Sequence, residues 1–556
     1  MFLRELRVRK EGKEYTYLKV VENVRHNGRP VQRTLLNLGN VTHWPPERRR
    51  QLAGVLARFL GAPLDAVPGG LDLADVRLGE CRQLGPYLPL SHLWEKAGLD
   101  DVLRGVWAGN ARLGRMLGCA KAMVLTRLVA PCSKLAVWQM LGRDAHIPGV
   151  EADALPLHAY YRTLSALSQS QLEVERGLYA HMASLFNRDV SQVFWDMTSA
   201  YLEGTHCPKA RYGYSREHRP DLVQIEIGLL VDAEGIPIGH QVFEGNVKDV
   251  ATVLTALQRL KQTFEVHRCI FVGDDGMASK ANLAEIEKQG YEYITSLSLG
   301  HSTLGEVMLR AAPPPRRWPV LSENLALLPL RRQGRVRYLG LYNPQRAAST
   351  RWHRRGHLRE GVAFLRQLRA GPKPHGRRKT PQQLMAAAEG YLRRKGVRDL
   401  FRVASTPAGG LEWSLDREAL RRVRRRDGVL VVVSNSQTLN DREVAQGYRS
   451  LWRVEDAFRN LKDVIGLRPI RHWNDARVLG HVFVCVLAYT LQCLYERDLR
   501  AAGLAMSARR ALQELGNVTV ATLEAGGRQI RRRSELSVLQ RRLLAAAGVE
   551  HVPEIW

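Results

Sequence analysis

Cysteine is scarce in this chain and scattered along it. The seven cysteines among 556 residues are odd in number and include no CxxC pair. That excludes a zinc ribbon or a disulfide framework and suits a reducing cytoplasm. An obvious membrane segment is lacking too. The longest apolar stretch, HVFVCVLAYTLQCLY from His481, reads as too short and too polar at its ends to cross a bilayer. The N-terminus, MFLRELRVRKEGKEY, is charged throughout and is no secretory signal. HRRGH, from His353 to His357, has zincin spacing without the zincin glutamate and reads as a solvated basic segment.

Acid is the other shortage. Asp and Glu number 55 against 83 Lys and Arg, a formal charge of +28 and a pI near 10.2. Such an excess favours a polyanionic partner, and with the membrane reading weak, that partner is nucleic acid. A hydrophobic content of 45% and a charged content of 25% are ordinary for a folded protein, and the length allows three or four domains.

The patterning changes along the chain. Residues 1–46 alternate like strands, with YTYLKVVENVR and VQRTLLNLG joined by a turn at HNGRP into a hairpin. Residues 47–190 are mostly helical, broken at GAPLDAVPGG. From 191 to 299 the order is strand, hairpin (LVQIEIGLLVD and IPIGHQVFEG), helix, buried strand (CIFVGDD), helix and strand. That β-β-β-α-β-α-β order is the pattern of a ribonuclease H-like mixed sheet with helices. Residues 300–435 interrupt it with three apparent strands, RVRYLGLYN, LFRVAST and GVLVVVS, and read as an inserted, mainly β domain. Closing helices resume over 436–500, beginning DREVAQGYRSLWRVEDAFRNLKDVIG, and 501–556 form a tail region.

Three acids stand out against this frame. The apolar run VFW ends in Asp196 and CIFVG ends in Asp274, so two strands each finishing in aspartate bring two carboxylates to one sheet edge. Anions held that close repel unless a cation lies between them, and Mg²⁺ suits a few carboxylates with water and phosphate oxygens. On the late helix, at about 100° per residue, Tyr448, Leu451, Glu455 and Lys462 fall within about 60° of one another, beside an apolar face of Val454, Phe458, Leu461 and Ile465. Glu455 therefore lies at the rim of the buried side, whereas Asp456 points away toward solvent. Taken singly, a strand-terminal aspartate is more often a turn residue or helix cap. The combination is what points to chemistry. Trp195, Trp452 and Trp473 read as core.

The stretches FWDMTSAYLEG, GYSREHRPDLVQIEIGLL, IPIGHQVFEGNVKD, FVGDDGMASKANL and YRSLWRVEDAFRNLKDVIGLRPIRHW, with RLVAPCSKLAVWQML upstream, resemble the DDE transposases of bacterial insertion sequences. The resemblance is to the branch with a Tyr-Arg-Glu-Lys helix signature. It implies a catalytic, metal-binding triad of Asp196, Asp274 and Glu455, loaded with Mg²⁺ or in its place Mn²⁺. It implies that Tyr448 and Lys462 contact DNA phosphates, and that residues 300–435 are the branch's β insertion. Leu451 stands where the signature has arginine. Arg449, Arg453 and Arg459 are the neighbouring basic candidates for DNA binding. Asp274 is preferred to Asp275 because it follows the buried strand directly and matches the family's D-x-G pattern.

The chemistry expected is two-metal phosphoryl transfer, which cuts element ends and joins the freed 3′-hydroxyls to target DNA. The partners are double-stranded DNA, as terminal repeats and as target, and a second copy on paired ends, with no membrane. The location is the bacterial cytoplasm, at the nucleoid. DREALRRVRRRDG and RWHRRGHLR would add salt-sensitive phosphate contacts, and terminal-repeat recognition falls to the helical region before residue 190. Two other readings stand beside this one: a transposase-derived DNA-binding protein without catalysis, and a ribonuclease H-like host nuclease that cuts but never joins.

Overall fold

The computed structural model describes residues 2–10, 13–26, 29–40 and 77–555, except 187–189, 205, 248–250, 278, 300–301, 371–379, 407–409 and 526–527. The helices expected within 47–76, the GAPLDAVPGG break and GPKPHGRRK lie outside the described residues.

At the N-terminus an antiparallel meander runs through β1 (Phe2–Lys10), β2 (Lys13–His26) and β3 (Arg29–Asn40). The last two are the expected hairpin. The first is an addition, and Arg4 interrupts the apolar series of Phe2, Leu6 and Val8 that would have marked it in the sequence. A second small sheet joins β4 (Arg77–Gln83) to two strands from near the C-terminus. Between β4 and the central sheet the chain is helical, including α1 (Leu113–Val129), α2 (Lys134–Arg143) and α3 (Leu157–Gln169).

The centre of the molecule is a nine-stranded mixed sheet. Its first part holds β5 (Gln192–Tyr201), the hairpin β6 (Gln224–Val231) and β7 (Pro237–Glu244), then β8 (Ile270–Val272) and β9 (Glu292–Leu297). These lie in the order β7-β6-β5-β8-β9, with β5 antiparallel to β6 and parallel to β8. Helices α4 (Val253–Gln262) and α5 (Lys280–Lys288) make the crossovers. This is the ribonuclease H-like arrangement.

Residues after β9 add β10 (Val320–Ser322), β11 (Leu325–Gln333) and β12 (Val336–Tyr342), the 27-residue helix α6 (Pro344–Ala370), the pair β13 (Phe401–Ser405) and β14 (Leu411–Leu415), and β15 (Val429–Ser434). The three strands legible in the sequence are here as β12, β13 and β15. Four strands of this region do not form a separate layer: β15 pairs with β9, and β12, β11 and β10 follow it outward, extending the core sheet.

Burial on both faces explains the unbroken apolar runs. On β5, Val193, Trp195 and Met197 pack on the side of α4 and α5, while Phe194, Ala200 and Leu202 pack on the opposite side. Gly228 on β6 admits the Trp195 indole, since a Cβ there would lie 2.1 Å from the ring.

The late helical segment is not continuous. It comprises α7 (Asp441–Arg449), α8 (Trp452–Arg459) and a π-helical turn at Asn460–Val464. A capping box starts α7, with the Asn440 side chain accepting from the Glu443 N–H at 3.0 Å and Glu443 returning to the Asn440 N–H at 2.7 Å. Between α7 and α8, the N–H groups of Leu451, Arg453 and Val454 bond three residues back, tightening the chain into a corner. The grouping expected from one helical wheel still holds across that turn for Tyr448, Leu451 and Glu455, which line one cavity.

Helix α9 (Asp475–Ala501) contains the apolar stretch that begins at His481. Contrary to the sequence reading, it is long and apolar enough to cross a membrane, with mean hydropathy 1.7 over a window that is 89% buried inside the protein. It is apolar all round because α1 and α3, β7, and the helices Ala508–Leu515 and Val538–Ala546 cover it.

Candidate active site

Asp196 does not end its strand, as expected, but sits in the middle of it. β5 continues to Tyr201 because Met197 through Tyr201 keep pairing with β6. The half-buried Asp196 Oδ1 accepts the Met197 N–H at 2.7 Å. The parallel ladder to β8 pairs Val193 with Phe271 and Phe194 with Val272. That ladder ends at Val272, and Asp274 follows two residues past the end of β8, beside the strand that carries Asp196. The ladder on the far side extends past β8, since the Gly273 N–H bonds the Ile294 carbonyl at 3.1 Å.

Alternation separates Asp274 from Asp275. Phe194 and Val272 share the core with Val454 and Phe458 of α8, so Asp196 and Asp274, each two residues further on, fall on that same face. Asp274 is held by the Gly276 N–H, donated to its Oδ1 at 3.0 Å, and by the Thr295 hydroxyl, donated to its carbonyl at 2.8 Å. Asp275 opens a short 3₁₀ turn and is exposed.

Glu455 lies in the first turn of α8, exposed, next to the buried Val454. With Asp275, Ser296, Tyr448, Arg449 and Trp452 it lines an open cavity of about 540 Å³. Of the acids singled out in the sequence, Glu455 and Asp275 line this cavity, and Asp196 and Asp274 are not among its lining residues. Among the described residues, no three His, Cys, Asp or Glu side chains stand close enough to hold one metal ion. The donor set is hard carboxylate oxygen, which fits a cation of the Mg²⁺ class. Asp456 turns away, as expected, though it is partnered rather than freely solvated. It accepts from Arg459 at 3.1 Å and from the Asn460 amide at 3.0 Å.

Tyr448 is half-buried and hydrogen-bonded to Ser296, and burial raises its phenol above the usual range, reinforced by Asp274, Asp275 and Glu455. It is a protonated donor at neutral pH. Lys462, in the π turn, is 12% exposed and ion-paired with Glu217, which Arg468 also grips. Burial, then Arg216, lowers its ammonium to about 8, while Glu226, Asp463 and Asp196 pull it back up. Of the neighbouring arginines, Arg449 reaches the cavity. Arg453 lies 5.9 Å over the Phe194 ring, and Arg459 pairs with Asp456. Leu451 is core, at 6% exposure. Trp195 is core as expected, but Trp452 and Trp473 are 59% and 61% exposed, since the corner before α8 and the loop before α9 turn them outward.

Several neighbours of the site had no signal in the residue pattern. Arg346, from the first turn of α6, lines the same cavity. Arg127 of α1 donates to the Gly466 carbonyl at 3.2 Å, and Lys134 of α2 reaches His481 Nδ1 at 2.9 Å while His481 Nε2 meets the Leu467 carbonyl at 3.0 Å. The upstream RLVAPCSKLAVWQML motif therefore anchors the segment just after Lys462. Contacts across some 340 residues of sequence leave no local periodicity to read.

Residues 191–491 match the family model described as the transposase DDE domain, more than half of the chain. The chain belongs to the DDE transposases of bacterial insertion sequences. Residues 3–63 of the transposase match the model of the IS1634 family transposase N-terminal domain. The family generally uses divalent metal ions. No curated protein matches the transposase. Among solved structures it is similar to a cryo-EM structure of the piggyBac transposase synaptic complex with hairpin DNA, at 9% identity and TM-score 0.38, over 78% of this chain and 79% of that one.

Proposed function

We propose that this transposase cuts the ends of its element and joins the freed 3′-hydroxyls to target DNA, with Asp196, Asp274 and Glu455 as its catalytic acids. What supports the reading is that Asp196 lies on β5 and Asp274 follows β8, the parallel strand paired with β5, while Glu455 lies on α8, which packs on β5.

The three carboxylates would hold Mg²⁺, or Mn²⁺ in its place. Bound there, the cation would supply Lewis-acid activation of the scissile phosphate and of the attacking oxygen. The chain's own residues do the rest. Asp196 and Asp274 are fixed by the sheet, so two ligands are placed before DNA arrives. Glu455, exposed on α8, is the third ligand. The Tyr448 phenol, kept protonated by burial, donates to a phosphate oxygen at the cavity mouth, and Arg449 and Arg346 add charge there. Hydrolysis and joining are both in-line displacements at phosphorus, so one site can serve both.

DNA is the partner, held mainly through phosphate by the basic surface. Helix α6 and the arginine run Arg417–Arg426, both exposed along much of their length, suit that role. A homodimer would act on paired ends, in the cytoplasm at the nucleoid.

The test is incubation of purified protein with labelled element-end DNA and a target plasmid, in Mg²⁺ or in EDTA. Mg²⁺-dependent nicking and joining is the expected result. Nicking that never leads to joining overturns the transfer step, and salt-sensitive binding with neither overturns catalysis.

A further inference from the structure

The segment GYSREHRPD, residues 213–221 in the β5–β6 connection, has no role in the chemistry above, yet it places a carboxylate at the edge of the site. Glu217 is 7% exposed; its Oε1 takes the Lys462 ammonium and its Oε2 the Arg468 guanidinium. Lys462 in turn lies within electrostatic reach of Asp196. A lysine and an arginine that converge on two oxygens of one anion are the donor set for a phosphate. In the DNA-free protein that anion is the protein's own.

The loop bearing Glu217 is tied down lightly elsewhere. Tyr212 and Tyr214 are 63% and 86% exposed. His218 sits at φ 57°, a conformation uncommon outside glycine, and the turn around it is closed by local bonds from the His218 and Arg219 N–H groups to Ser215. Arg219 pairs with the exposed Asp221 and lies 5.5 Å over the Tyr201 ring, and the Tyr214 carbonyl accepts from Gln224 Nε2 at 3.1 Å. The Glu217 ion pairs and the adjoining Arg216–Glu226 pair, at 2.9 Å, are the main charged links from this turn to the body of the protein.

We propose that Glu217 is an internal stand-in for a DNA phosphate. It satisfies Lys462 and Arg468 while the site is empty of DNA, and the incoming backbone displaces it and releases the 212–222 loop. The inference rests on the DNA reading above and adds what blocks that phosphate position until DNA is present. It follows that Lys462 contributes little to the affinity of the intact protein, because its phosphate contact is offset by the ion pair that must break.

The test measures duplex DNA affinity of the full-length protein, by anisotropy at fixed low salt, for wild type, Glu217→Gln, Asp221→Asn and the double variant Glu217→Gln/Lys462→Met. Asp221→Asn removes the same charge four residues away and controls for long-range electrostatics. Glu217→Gln is expected to bind more tightly than Asp221→Asn by at least about threefold, and Lys462→Met is expected to abolish that gain. Equal affinity of the two single variants overturns the proposal, as does a gain that survives Lys462→Met. If wild type fails to bind duplex at low salt, the DNA reading itself has failed, a result distinct from either of these. Should Glu217→Gln fold poorly, hydrogen exchange on wild type decides: amides of 212–222 are expected to exchange faster with duplex bound, and unchanged or slower exchange overturns the proposal.

Discussion

Asp196 lies within β5 and Asp274 two residues past the end of β8, the parallel strand whose ladder to β5 runs up to Phe194 and Val272. Two like charges brought close are unfavourable unless a cation joins them. The pair is therefore most informative when its charge or its metal is changed.

Replacing Asp196, Asp274 or Glu455 with alanine should lower DNA cleavage by roughly 10³-fold or more, since each loss removes several kcal/mol of transition-state stabilisation. DNA binding should stay within about threefold, because phosphate contacts elsewhere supply it. Asp275→Ala should cleave far better than Asp274→Ala in the same gel assay. The reverse order would move the ligand to the exposed aspartate.

Divalent metal should stabilise the folded protein. Ligand binding to the native state alone adds about 2.7 kcal/mol at a hundred times the dissociation constant. A thermal melt with and without Mg²⁺ should show a rise in Tm for wild type that Asp196→Asn loses.

In the Glu217→Gln protein, affinity for DNA should weaken as pH rises through about 8, where Lys462, lowered by burial, gives up its proton. A lysine that has lost its charge no longer releases a counterion from DNA, so the salt dependence should flatten with it. Adding Lys462→Arg should move the effect beyond the measurable range.

Lys134 is 4% exposed, and burial, then Arg127, pushes its ammonium down to about 7. Between that value and the range of a free lysine, the unfolded chain holds a proton that the folded chain has released. Stability therefore rises with pH across that window, and below it the cost of burying the charge is fully present. Lys134→Met should raise Tm at pH 6 to 7, with an advantage that shrinks above pH 8. An advantage that is the same at all pH values would show that packing, not charge, is responsible.

Gly228→Ala should destabilise by about 1–3 kcal/mol, as overpacking against the Trp195 ring requires. Chemical denaturation should show a lower midpoint, and full recovery is expected when Trp195→Leu is added.

Local pattern carried a good part of this protein. Apolar runs of β length marked β5 through β9 and their order, and helical periodicity marked the crossovers, because a strand or helix buried on a given face must repeat its apolar residues at that period. The charge excess named the class of partner. The two aspartates were visible because a carboxylate beside a buried run is costly. Tertiary structure decided the rest. Whether β5 stopped at Asp196 depended on β6, which keeps pairing past it. The continuity of the signature helix depended on a corner at Ser450 and Leu451 made by backbone bonds that leave the residue pattern unchanged. The inserted strands could have formed a layer of their own, and it is pairing of β15 with β9 that makes them part of the core sheet. Lys462 looked free to meet DNA, and only the fold brings Glu217 across 245 residues to occupy it. Periodicity records which face of an element is buried; it holds no record of which distant charge will lie against that face.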